Sequence, residues 1–300
     1  MSTQDFQSNR DNFCYRHPDR QSFVLCQRCL RTICPECQTP GAVGVICPEC
    51  LRDQQKAQSP AQKKAERRWS RPRAVSASSG RPIVTYSLIG ITLFIYLLQL
   101  IPGFGPLVQD ALSFAPPYLY PAWFGVFEPW RLITVLFVHG GIWHVALNML
   151  ALWMLGRSLE PLLGRGRFLT LYLLSGLGGS VAVVFLGFST SVVGASGAIY
   201  GLFGALLVIG RHIGANIRGI VLVLGINLVI SFLPLLTGGG IAVSWQAHVG
   251  GLLVGLLVAF IFTRTRAVRQ RGLQIGLLVA VGVGLVALLF VPAIFPAVVL

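Results

Sequence analysis

The sequence predicts an all-α polytopic membrane protein preceded by a small cysteine-rich domain. Three observations predict it. Apolar residues make up 54% of the 300 positions and charged residues 11%, with a mean hydropathy of +0.70, whereas soluble domains carry about 25% charged residues. Long apolar stretches recur from residue 83 to the C-terminus. All seven cysteines lie between Cys14 and Cys50, outside those stretches.

The head, residues 1–52, carries four ligand pairs: Cys14 with His17, Cys26 with Cys29, Cys34 with Cys37, and Cys47 with Cys50. A two-residue gap lets both side chains of a pair reach one tetrahedral ion, and eight ligands satisfy two structural Zn2+ ions. Seven cysteines is an odd number, and the compartment assigned below is reducing, so a disulfide framework is disfavoured. So short a segment has almost no core, and metal would supply its folding energy. All eight ligands look structural, which leaves no open coordination position. The head therefore reads as a partner-binding or regulatory module with a cytoplasmic protein partner. Residues 12–52 resemble B-box-like and RING-like cross-braced zinc modules. That resemblance implies that the first and third pairs share one ion and the second and fourth the other; spacing alone leaves sequential pairing open.

Residues 53–82 read as a flexible basic linker, rich in Gln, Lys, Arg, Ser and Pro and without apolar period. The polar first 82 residues offer no cleavable signal peptide, so the first span is expected to act as the targeting signal. Seven spans are expected at 83–101, 136–156, 168–187, 195–210, 219–236, 246–263 and 273–293, since a helix needs about 20 apolar residues to cross a hydrocarbon core of about 30 Å. Residues 83–271 hold six of them and 272–300 the seventh. The fourth and sixth are short, as expected of helices that begin below the surface.

Loop charges predict orientation. Arg67, Arg68, Arg71, Arg73 and Arg81 precede span one; Arg157, Arg165 and Arg167 follow span two. Arg211 and Arg218 join spans four and five, and Arg264, Arg266, Arg269 and Arg271 join spans six and seven. The other set of loops holds only Arg131. The basic side is expected to be cytoplasmic, which puts the head inside and the C-terminus outside, in a bacterial plasma membrane. The net charge of +14 then requires no nucleic-acid partner.

The chemistry lies in the spans. Val193-Gly-Ala-Ser-Gly-Ala-Ile199 opens span four, His248 lies in span six, and His144 and Asn148 lie on one face of span two. Counted from the cytoplasmic ends at about 1.5 Å per residue, Ser196 lies about 22 Å deep, His248 and His144 about 24 Å, and Asn148 about 18 Å. Polar groups at such depth are expensive and mark function by default. Gly197, Gly201 and Ala205 in span four, and Gly251 and Gly255 in span six, permit close helix approach. A serine nucleophile needs a base within hydrogen-bond reach, and His248 is the candidate. The only carboxylates after residue 82 are Asp110, Glu128 and Glu160, all in loops or at helix ends, so a dyad is expected. Ser196 also stands at a helix start, whose free N–H groups can stabilise an oxyanion, with His144 and Asn148 side chains adding to it.

These residues resemble the rhomboid family of intramembrane serine proteases. The resemblance rests on Gly194-Ala-Ser196-Gly-Ala, on Ala247-His248-x2-Gly251-x3-Gly255, on His139-x4-His144-x3-Asn148, and on Trp130-Arg131, and it covers about 83–271. It implies a six-helix core plus a seventh helix, Ser196 as nucleophile and His248 as general base. It also implies that Tyr200 packs on the His248 ring, and that His144, Asn148 and the Ser196 N–H form the oxyanion hole. Catalysis then needs no cofactor, and the substrates are single-span membrane proteins. The aromatic-rich segment 102–130 suits an interfacial element. The Gly-rich segment Thr237-Gly-Gly-Gly-Ile241 is expected to cap the site, flanked by Phe232 and Trp245.

Other classes fit less well. A rhomboid-like pseudoprotease lacks the serine or the histidine, and both are present. A metalloprotease would need a carboxylate beside the histidines. A transporter would show intramembrane charges or matching broken helices in two halves.

Overall fold

The computed structural model describes residues 10–40, 44–57, 81–237 and 244–298. The chain divides into two compact units, residues 1–76 and 77–300.

The head is built around its ligands. Its buried core is Cys14, Cys26, Ile33, Cys34, Cys37, Cys47 and Cys50, so Ile33 is the one buried apolar side chain that is not a cysteine among the described residues. A two-residue antiparallel pair, β1 (Thr39–Pro40) and β2 (Val45–Ile46), carries the chain between the third and fourth ligand pairs. Helix α1 (Pro48–Ala57) follows, with proline at its first position, where a missing N–H costs nothing. It runs five residues into the segment expected to be linker. Asp53, Gln54, Gln55 and Lys56 carry no apolar period, but they continue the helix that Pro48 and Cys50 begin. Residues 58–80 of the expected linker lie outside the described residues, and its last two, Arg81 and Pro82, lead into the next helix.

Among the described residues the second unit contains seven long helices, one near each expected span. They are α2 (Ile83–Gln99), α4 (Ile142–Leu163), α5 (Arg165–Leu186), α6 (Ser196–His212), α7 (Arg218–Thr237), α8 (Trp245–Arg264) and α9 (Arg271–Leu288); the shorter α3 (Gly105–Leu112) follows α2. Among the described residues, Arg165–Leu186, Trp245–Arg264 and Val268–Ile294 are each long and apolar enough to cross a membrane unaided. A fourth candidate is bent: Arg131–Phe137 meets Ile142–Leu163 at 96°. The expected span 136–156 is thus displaced. Its helix starts at Ile142, because Gly140 and Gly141 break the chain after His139, with Gly141 at φ +158. The helix continues to Leu163, where Gly164 at φ +81 ends it.

Glu160, in the last turns of α4, is buried and caps α2 from a distance. Its carboxylate accepts from the Val84 N–H at 3.0 Å, the Thr85 N–H at 2.8 Å and the Thr85 hydroxyl at 2.7 Å. Helix starts leave such N–H groups unpartnered and favour negative charge, so this carboxylate is fully occupied.

Glycines hold α5, α6 and α8 together. A Cβ on Gly251 or Gly255 would run into the carbonyl of Gly197 or Gly201, one on Gly250 into the Gly178 carbonyl, and one on Gly179 would lie 2.9 Å from the Ala247 oxygen. The three backbones touch where Ser196 and His248 stand beside Gly197 and Ala247. Gly251→Ala should therefore cost about 1–3 kcal/mol, the usual range for overpacking. Gly276→Ala, on α9 where a Cβ would meet nothing within 4 Å, should be neutral. Thermal unfolding in detergent checks both, and equal melting temperatures would contradict the close approach.

Candidate active site

Ser196 is the first residue of α6 and is half-buried. Gly194, two residues earlier, has φ +117, a conformation that side chains rarely adopt, and a Cβ there would lie 2.8 Å from His144 Cε1 and Nε2. The glycine thus lets the chain turn into the helix against the His144 ring. The turn is pinned from several sides. The Gly194 N–H donates to the Val135 carbonyl at 3.0 Å, and Phe114 and Val192 pair through N–H···O bonds of 3.1 and 2.8 Å. The Ala195 N–H donates to His139 Nε2 at 3.4 Å. The first N–H groups of α6 have no intrahelical acceptor, so they face the space before the helix.

His139 is buried and its ring lies 5.0 Å from that of His144, edge to face. Its backbone is clamped by Gln99: the His139 N–H donates to Gln99 Oε1 at 3.0 Å, and Gln99 Nε2 donates to the His139 carbonyl at 3.1 Å. Asn148 is buried one turn below His144. Its Nδ2 donates to the His144 carbonyl at 2.8 Å, and its Oδ1 is buried without a partner. One of the two amide protons is therefore used within the helix, and the other remains to donate.

His248 is 4% exposed. The Tyr200 ring stacks on it with centroids 4.0 Å apart and planes at 13°. Its Nδ1 lies 2.8 Å from Ser231 Oγ on α7. Sequence reasoning missed Ser231. A single serine in an apolar span carries little signal, since serine hydroxyls commonly bond their own helix. Gln99 was missed for a like reason, lying at a helix end where polar residues are ordinary.

The segment 102–130 is stapled by Arg131. That residue is 4% exposed. Its guanidinium pairs with the Glu128 carboxylate, donates to the carbonyls of Asp110 and Ser113, and lies 3.8 Å over the Tyr118 ring. The single arginine in that set of loops is thus a structural brace. Phe232 and Trp245 do meet, with ring centroids 5.0 Å apart. The glycines of the expected cap, from residue 238 on, lie outside the described residues.

In the head, the ligand atoms of Cys14, His17, Cys34 and Cys37 lie within 4.8 Å of one another, as do those of Cys26, Cys29, Cys47 and Cys50. The grouping is first pair with third and second with fourth, the cross-braced arrangement. His17 Nδ1 lies 3.8, 3.3 and 3.4 Å from the sulfurs of Cys14, Cys34 and Cys37, and the Cys29 and Cys47 sulfurs are 3.8 Å apart. Tetrahedral Zn–S bonds of about 2.3 Å place ligand atoms about 3.8 Å apart, so both clusters fit the ion. Burial raises the Cys14 and Cys26 thiols, yet surrounding backbone N–H donors bring each down to about 6. Burial and neighbouring sulfurs push Cys37 up to about 11 and Cys50 to about 12.

Comparison with known proteins bears on the family of the second unit. Residues 126–265 match the Rhomboid domain family. The chain is 35% identical over 212 residues to Rhomboid protease GluP of Bacillus subtilis (strain 168), covering 69% of this chain and 40% of that protein. It is 37% identical over 142 residues to RHOMBOID-like protein 1 of Arabidopsis thaliana, 45% of this chain and 35% of that one. It is 32% identical over 194 residues to Rhomboid protease GlpG of Yersinia pestis (strain Pestoides F), 61% of this chain and 64% of that one. The chain thus spans less than two thirds of the length of these relatives. The rhomboid domain match and the rhomboid protease relatives support the rhomboid family for this chain, and with it a protein integral to a membrane.

Proposed function

We propose that this chain is an intramembrane serine endopeptidase that cleaves single-span membrane proteins within or near the bilayer, with Ser196 as nucleophile and His248 as general base. The observation that carries the reading is the join of α6 to α8. Tyr200 stacks on His248, and the glycine contacts of Gly197 and Gly251 bring the two helices together beside Ser196. In the proposed reaction His248 takes the Ser196 proton as the oxygen attacks a peptide carbonyl. The Ser196 N–H, His144 and Asn148 donate to the resulting oxyanion. The proton then passes to the leaving amine, and water frees the acyl-enzyme by the same steps in reverse. The basic loops are cytoplasmic, so the head is inside and the C-terminus outside. The head, through residue 52, holds two structural zinc ions and serves a cytoplasmic protein partner; residues 53–82 link it to the protease core at 83–271, and the seventh helix follows. A fluorophosphonate probe should label Ser196 in detergent-purified protein, and an unlabelled, folded protein would refute the reading.

Asn148 separates catalysis from packing. A helix–helix hydrogen bond in a membrane contributes only about 0.6–2 kcal/mol. A side-chain oxyanion donor is worth about 2.7–4 kcal/mol, or about 10²–10³ in turnover. Asn148→Ala should lower kcat about a hundredfold while the melting temperature barely moves. A loss below about threefold would assign the residue to structure.

A further inference from the structure

The expected dyad has no carboxylate to orient its histidine, and among the described residues the three carboxylates after residue 82 are placed elsewhere: Asp110 is exposed, Glu128 is paired with Arg131, and Glu160 is spent on the start of α2. What faces His248 Nδ1 is a hydroxyl. Ser231 is 2% exposed, and its Oγ has three partners: the Asn227 carbonyl at 2.7 Å, His248 Nδ1 at 2.8 Å and the Tyr200 hydroxyl at 3.3 Å.

Proton counting then decides the direction of each bond. A serine hydroxyl has one proton and two lone pairs. A carbonyl can only accept, so the proton of Ser231 goes to Asn227. Only lone pairs remain for the other two partners, and both must donate. Nδ1 of His248 therefore carries a hydrogen. A neutral imidazole has one N–H, so Nε2 is left with its lone pair.

We infer that Ser231 is a positioning residue that fixes His248 as the Nδ1–H tautomer and so leaves Nε2 free to accept the Ser196 proton. The inference rests on the reading of His248 as general base. The bond survives the cycle: when Nε2 takes the proton, the imidazolium still donates Nδ1–H to Ser231, and no proton moves along that side. Tyr200 completes the holder, with its ring on the face of the imidazole and its hydroxyl on the same serine oxygen. Ser231 thus does for orientation what a buried carboxylate does elsewhere, without introducing a charge into the bilayer, where charge is costly.

Histidine-15N spectra of the full-length protein in detergent, with His248 assigned by difference from His248→Ala, should show a protonated Nδ1 and a bare Nε2 in the neutral ring. Ser231→Ala should lose that preference. Its kcat should fall about tenfold with KM little changed, the size of one neutral hydrogen bond. Ser231→Thr keeps a hydroxyl able to bond the carbonyl four residues back and should restore both tautomer and rate. A neutral His248 protonated at Nε2 in the unmutated protein overturns the proposal even if Ser231→Ala does not fold. So does a Ser231→Ala variant that labels and turns over at the unmutated rate. If the unmutated protein itself never reacts with the probe, the protease reading fails, and the tautomer measured in the spectrum still stands or falls separately.

Discussion

Ser196→Ala and His248→Ala should each abolish cleavage of a single-span substrate in purified protein, and the double variant should be no slower than either alone. Residues that act as a unit are strongly non-additive, because removing one leaves the other nothing to do. In serine proteases, loss of the nucleophile or base alone costs about 10⁶ in kcat. Stability should separate the two variants. Ser196 is half-buried at a helix start, so truncating it removes one oxygen and leaves the glycine contacts of Gly197 intact. His248 is 4% exposed and stacked on Tyr200, so His248→Ala should also lower the melting temperature, and His248→Gln is the gentler control. Turnover surviving in Ser196→Ala that is free of unmutated enzyme would falsify the assignment.

The second large effect concerns the head. Full-length protein should carry about two zinc ions per chain by elemental analysis. Zinc binding in comparable small modules contributes about 10–16 kcal/mol at neutral pH, far more than a buried core of six cysteines and one isoleucine can supply. Strong chelation, or Cys34→Ser combined with Cys47→Ser, should unfold residues 12–52 outright and make them protease-sensitive. Labelling of Ser196 should persist, since every residue proposed for catalysis lies after residue 143. Because the ligands are cross-braced, Cys34→Ser alone should loosen both halves of the head. A head that stays folded without metal would remove zinc from its structure, and a folded, headless protein unable to cut would give the head a part in catalysis.

Much of this architecture was legible in the sequence because membrane and metal constraints are severe. Apolar length located six of the seven long helices among the described residues closely and the second only in part, since a lone span can satisfy its backbone in lipid only as a helix. The pairs from Cys14 to Cys50 announced two clusters, though their grouping needed the folded chain. The small residues of spans four and six foretold the contact that brings Tyr200 onto His248. What the sequence concealed were partnerships between distant positions whose residue types are individually ordinary. Ser231 on one helix meets His248 on the next, Glu160 closes the start of a helix about 75 positions earlier, and Gln99 grips the backbone of His139. The bend at Gly140 and Gly141 was hidden too, because an apolar run reads through it.

The interlocked glycines of α5, α6 and α8 also set how the protein meets bilayers of different thickness. Helices in backbone contact cannot slide or tilt past one another without lifting whole turns apart. In α7, by contrast, Val221, Leu222, Val223, Ile226, Val229 and Ile230 are exposed to the surroundings, and Leu224 and Ser231 are its buried side chains among those described. Mismatch between a helix and its lipid is relieved most cheaply by tilting whatever is least confined. Thin or thick membranes should therefore re-angle α7 and leave the spacing of α6 and α8 unchanged. Ser196 and His248 would then keep a constant separation in membranes a few Å apart in thickness, and lipid would reach the proposed site only through α7, by loosening or tightening the Ser231 contact to His248 Nδ1.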